Sequence, residues 1–98
     1  MVHKLKILPE YFEAVVAGHK TFEIRKNDRD YKVGDWLELN EWTPEGGYTG
    51  ASTTRYVSYI LYNWENAMHE DYCIMSLKLS APTATLDFAE GQMLMSAT

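Results

Sequence analysis

The 98 residues are one domain's worth of chain, enough to bury a real core. An apolar fraction of 46% and a charged fraction of 23% exclude general disorder. A single cysteine, Cys73, excludes a disulfide framework within the chain and a thiol-rich zinc site. The formal net charge of −5 is unevenly spread: residues 1–32 carry seven Lys or Arg against five acids, whereas residues 33–98 carry Arg55 and Lys78 against nine. The first third is therefore where an anion can be held.

Residues 3–8 alternate, Leu5 and Ile7 against Lys4 and Lys6, and predict a short strand with one face buried. Pro9 is suited to the first turn of a helix over residues 9–17, with Glu10 and Glu13 near its positive end. Leu8, Phe12, Val15 and Val16 would make its apolar stripe, and Gly18 its stop. Residues 21–26 alternate again, Phe22 and Ile24 on one face and Thr21, Glu23 and Arg25 on the other. Residues 27–30 and 33–35 carry turn chemistry, and a strand is predicted over 36–42. Residues 44–47 read as a hairpin tip, with Tyr48 in a glycine-flanked loop suited to stacking on a base.

The longest predicted strand covers residues 53–62, where Tyr56, Tyr59 and Tyr62 read as core or barrel wall. Residues 63–71 read as a loop or short helical turn. A last strand follows over 72–79, with Cys73, Met75, Leu77 and Leu79 inward. The pattern divides the chain into a domain over 1–79 and a C-terminal tail over 80–98. The tail is rich in Ala, Ser, Thr and Met, with one short helix expected around residues 86–95. The sum is an α+β fold: a small, partly closed, mostly antiparallel barrel of about five strands, with one helix between the first two. No apolar run is long enough to span a bilayer and the N-terminal stretch does not read as a signal peptide, so the expectation is a cytoplasmic protein without a membrane partner.

The chemistry-bearing segment is residues 18–26, GHKTFEIRK. A lysine stands at the strand entrance, followed by a hydroxyl, a carboxylate and a guanidinium at two-residue steps. A carboxylate beside two cations holds them in place, and Arg25 offers a planar fork for a phosphate or a carbonyl edge. On pattern alone this face reads as an ordinary solvated charged strand face. Arg29 and Lys32 extend the basic character into the following turn. His19 stands at a helix end, where the dipole explains it, and His3 at a strand start beside the basic cluster. His3, His19, His69 and Cys73 fall at no recognised ligand interval, so no metal and no cofactor are expected.

Residues 3–35, from H-K-L-K-I-L-P-E-Y-F-E through G-H-K-T-F-E-I-R-K-N-D-R-D-Y to V-G-D, with Y-T-G at 48–50, resemble the ASCH domains of the PUA-like superfamily. The match is to a small group of ASCH-like proteins frequent in bacteriophages and their hosts, and it covers about residues 3–79. The resemblance implies a PUA-like β-barrel whose cleft binds RNA or a nucleotide-like ligand. Carried over by position, Lys20, Thr21, Glu23 and Arg25 would line it, with His3, Arg29 and Tyr48 nearby. Some ASCH relatives are amidohydrolases acting on acetylated cytidine, and a nuclease activity is attributed to others. Where the amidohydrolases carry a second threonine as nucleophile, this chain has Glu23. Lys20 and Glu23, with Thr21 beside them, would then position a water.

Three functions are expected from these readings. The first is a module binding RNA, single-stranded nucleic acid or a modified nucleoside, with no long duplex DNA. The second is a small hydrolase on an acylated nucleoside or RNA, using Lys20 and Glu23. The third is an acidic protein-interaction module presenting Glu38, Glu41 and Glu45. The residues fix no oligomeric state.

Overall fold

A computed structural model describes residues 1–62, 71–87 and 92–96. Five strands form one mixed, curled sheet, a half-barrel: β1 (Val2–Ile7), β2 (Phe22–Lys26), β3 (Trp36–Thr43), β4 (Gly47–Tyr62) and β5 (Tyr72–Lys78). One helix, α1 (Pro9–Val16), lies between the first two strands. The strand order is β1-β3-β4-β5-β2. β1 runs parallel to β3, and the other neighbours pair antiparallel. The expected α+β half-barrel with its helix between strands one and two is therefore the architecture of the molecule.

The core follows from the strand alternation. His3, Leu5 and Ile7 point inward from β1, Leu37 and Leu39 from β3, Val57 and Ile60 from β4, and Cys73, Met75 and Leu77 from β5. Val57 and Ile60 are three residues apart, an interval that a regular strand would send to opposite faces. A register shift between Val57 and Tyr59 opposite β5 turns Ile60 inward and leaves Tyr59 and Leu61 exposed. Tyr59 thus stands on the outer surface rather than in the core; Tyr62, half exposed, keeps the parity of Ile60 and donates its hydroxyl to the Tyr31 carbonyl at 3.4 Å, and Tyr56 is half-buried edge-on against Trp36. Tyr31, in the connection between β2 and β3, is the largest fully buried side chain among the described residues, and its amide donates to Asn27 Oδ1 at 2.9 Å.

α1 starts at Pro9 without a side-chain cap and ends as its glycine predicts. Gly18 takes φ +81°, which lets the amides of His19 and Lys20 reach the Ala14 carbonyl at 2.9 and 3.0 Å. No basic residue lies in the last turn; Arg55 on β4 instead donates to the Val15 carbonyl at 3.3 Å. The buried stripe is narrower than expected: Val15 and Phe12 face the core, and Leu8 and Val16 are exposed.

Three further expectations are corrected. β4 begins at Gly47, so Tyr48 pairs with Trp42 inside a strand and is not in a loop. The pairing fits because turn residues 44–46 return the chain directly onto β3, with the Gly46 amide on Thr43 Oγ1 at 2.9 Å. Leu79 lies beyond the end of β5 and is 76% exposed. The tail forms strands, not the helix expected over 86–95: β6 (Thr83–Asp87) pairs antiparallel with β7 (Gln92–Ser96). The β-branched Thr83 and Thr85, with Gly91 inside the predicted helix, disfavour helix there. Of the loop or helical turn expected over 63–71, residues 63–70 lie outside the described residues.

Candidate functional site: the seam between β1 and β2

β1 and β2 are the two edges of the sheet, and the curl brings them face to face. The pairing directions make them antiparallel to each other across the gap. Instead of backbone bonds, side chains cross it. Arg25 Nη2 donates to the Lys6 carbonyl at 2.6 Å, and Arg29 Nη1 to the Lys4 carbonyl at 2.7 Å. On the β2 lip itself, Lys20 Nζ donates to the Phe22 carbonyl at 2.7 Å.

The seam encloses a cavity of about 760 Å³, within the range of small-ligand sites. Its lining includes five cations (Lys6, Lys20, Arg25, Lys26 and Arg29), two carboxylates (Glu23 and Asp28) and the rings of Tyr11, Phe22, Tyr31 and Tyr72. At its centre is Glu23, 4% exposed. One carboxylate oxygen takes a hydrogen bond from Lys20 Nζ, and the other takes one from Arg25 Nε at 2.6 Å. Lys20 also lies 5.9 Å from the Tyr11 ring centroid and 5.2 Å from that of Phe22, within cation–π range.

This corrects the reading of Glu23 and Arg25 as a solvated face. The polar face of β2 points into the half-barrel, and the exposed Phe22 and Ile24 side chains lie along the outer rim of the cavity. β2 carries its charges inward because it borders the seam: the space its inner face meets is the cavity, and Glu23 neutralises its neighbours there.

The structure brings Lys20, Glu23, Arg25 and Arg29 together. Thr21 precedes β2 with its side chain exposed and does not line the cavity. His3 is buried beneath it: Nε2 hydrogen-bonds Asp35 Oδ2 at 2.8 Å, and the ring stands edge-on to Tyr31 at 4.8 Å between centroids. It supports the cavity wall through Tyr31 and does not face the ligand space. Tyr48, 63% exposed, belongs with Lys4, Glu38 and Glu41 to a separate hollow of about 310 Å³.

Sequence reasoning missed Lys6, Tyr11, Phe22 and Tyr72. The alternation of residues 3–8 already sends Lys6 away from the core, yet pairing it with Arg25 requires the strand order. Tyr11 falls off the apolar stripe of α1, the one signal that marked it. Among the described residues, no group of three or more His, Cys, Asp or Glu side chains is placed to hold a metal ion, and no helix is long and apolar enough to cross a membrane.

Comparison with known proteins places residues 2–77 under a family model described as "Domain of unknown function (DUF3850)". A curated relative from Escherichia phage P2, "Uncharacterized 12.9 kDa protein in GpA 3'region", is 36% identical over 76 residues. The match covers 76% of this chain and 65% of the relative, so the chain spans just under two thirds of that protein's length. The stretch matched by the family model, residues 2–77, contains every element of the seam.

Proposed function

The chain belongs to the DUF3850 family, whose description assigns no activity, and from the seam we propose that it is a binding module for single-stranded RNA or a nucleotide. The observation that carries this reading is the buried Glu23 carboxylate bracketed by Lys20 and Arg25 inside a cavity that also carries exposed aromatic rings. Five cations against two carboxylates, in a chain of net charge −5, give the cavity a local charge opposite to that of the whole. Rings supply stacking planes and the guanidiniums supply anion forks, the two elements that nucleotide recognition combines. We read the fold as ASCH-like within the PUA-like superfamily, a reading supported by the curled five-stranded sheet with its helix after the first strand.

The test is equilibrium binding of fluorescently labelled short RNAs and of free nucleotides across a salt series. Binding weakens with salt if phosphate is contacted, and Arg25→Ala lowers affinity about tenfold or more, the loss of a charge-assisted hydrogen bond. Salt-independent affinity that is equal in Arg25→Ala, or no binding to any RNA, nucleotide or nucleoside, overturns the proposal.

A second reading rests on Lys20 and Glu23 meeting inside the cavity: a hydrolase in which the pair orients a water toward an acylated nucleoside or an RNA phosphodiester. Turnover by the wild type that is lost in Lys20→Ala supports it; equal turnover in both proteins, or none, overturns it.

A further inference from the structure

The seam is polarised along its length. At the α1 end, Tyr11 and Phe22 flank Lys20. At the other end, Arg25 and Arg29 reach across to consecutive outward carbonyls of β1, those of Lys6 and Lys4. Phe22 and Arg25 are three residues apart on β2, about 10 Å at strand rise. Resting on the binding reading above, we infer that the occupant is a nucleotide carrying a terminal phosphate monoester, its base against the Tyr11 and Phe22 rings beside Lys20 and its phosphate at Arg25 and Arg29.

The charge arrangement selects the monoester. Glu23 already occupies Lys20 and the Arg25 Nε, and the remaining lining cations, Arg29 with Lys6 and Lys26, outnumber the one remaining lining carboxylate, Asp28. A guanidinium carries five N–H donors. Arg25 gives one to Glu23 and one to Lys6, and Arg29 gives one to Lys4, which leaves most of the fork at each for an anion. Two guanidiniums anchored on the Lys6 and Lys4 carbonyls, two residues apart on one strand, match the double charge and three free oxygens of a monoester better than the single charge of a phosphodiester. The same chemistry exists in a free nucleoside monophosphate and at the 5′ end of a processed RNA.

Calorimetric titration at fixed ionic strength separates these cases. The probes are a nucleoside 5′-monophosphate, its nucleoside, and a short RNA with either a 5′-phosphate or a 5′-hydroxyl. The monophosphate is expected to bind at least tenfold more tightly than the nucleoside. Arg29→Ala, a change at an exposed residue, is expected to bring that ratio close to one. Tyr11→Ala is expected to weaken nucleotide and nucleoside alike, by about tenfold, the scale of a lost stacking contact. A phosphorylated RNA that binds more tightly than the free nucleotide assigns the site to an RNA end, and the reverse order assigns it to the metabolite; both support the inference. Equal affinity for nucleotide and nucleoside, together with equal affinity for the phosphorylated and hydroxyl RNAs, overturns the inference and leaves the binding proposal standing. Absence of binding by every probe overturns both.

Discussion

Asp35 ties the start of the chain to the turn before β3. Its carboxylate meets the Met1 amine at 3.3 Å, His3 Nε2 at 2.8 Å and the Lys32 amide at 3.0 Å. Burial alone pushes this carboxyl up, but the hydrogen bonds, that of His3 foremost, outweigh it and hold the group below its ordinary value of 3.8. The folded chain therefore binds this proton less readily than the unfolded one. The stability Asp35 contributes is fully present above the ordinary carboxylate value and is lost as pH falls through the lower folded one. Asp35→Asn is expected to lower stability near neutral pH by about 1–3 kcal/mol, the scale of a broken buried hydrogen-bond set. Urea melts of both proteins at neutral pH and again well below 3.8 check this, because the gap should narrow in acid; a constant gap would refute it. Cys73 illustrates the opposite case. It is fully buried, no charge offsets its desolvation, and burial pushes its thiol up. Iodoacetamide is expected to leave it unmodified in the native protein and to label it readily in denaturant; rapid native labelling, read by mass spectrometry, would contradict that burial.

At the scale of the element, the two seam strands have one bonded and one unbonded side. The Met1 carbonyl accepts from Trp36, so the odd-numbered peptides of β1 face β3, and the Arg contacts place the even-numbered Lys4 and Lys6 toward the seam. On β2, the Thr21 carbonyl accepts from Leu77, which turns Phe22 and Ile24 to the seam. Because a residue's N–H and C=O leave a strand on the same side, the amides of Lys4, Lys6 and Ile24 point into the cavity. Hydrogen exchange followed by NMR is expected to alternate along β1, fast at Lys4 and Lys6 and slow at Leu5 and Ile7. Uniform protection would mean that the seam closes as a ladder. Much of this element plan was legible in the sequence: alternation gave β1, β3 and β5, and Pro9 and Gly18 bounded α1. The errors have physical causes. The stretch 47–52, rich in Gly, Ser and Thr, reads as loop on propensity, yet is strand because it folds back on β3. The bulge in β4 breaks the two-residue period that would have oriented Tyr59 and Ile60. The inward face of β2 defies the rule that apolar residues go in, since its inner neighbour is a cavity and not another layer. For the site, Lys20, Glu23, Arg25 and Arg29 were legible because one short segment carries them. Lys6 and Tyr11 come from other elements, and strand order, which sequence pattern does not supply, brings them there.

For the molecule as a whole, the half-barrel concentrates opposite charge where its two edges meet. Outside the cavity the chain is strongly acidic, with Glu38 and Glu41 around the hollow that also holds Tyr48. A duplex must lay many phosphates over a broad surface, and this surface repels them beyond the seam. Screening acts over about 8–10 Å at physiological salt, so the acidic exterior opposes a long polyanion while leaving a ligand held inside the cavity to the five cations that line it. The salt dependence of affinity separates the two situations, because its slope counts the phosphates neutralised. A short ligand engaged by Arg25 and Arg29 is expected to give a log–log slope of about −1 to −2. Duplex DNA is expected to show no measurable affinity at physiological salt. Titration of a short single-stranded RNA and of a duplex over the same salt series measures both. Tight duplex binding, or a slope several-fold steeper for the short ligand, would place the contacts outside the seam and require a phosphate path across the acidic exterior.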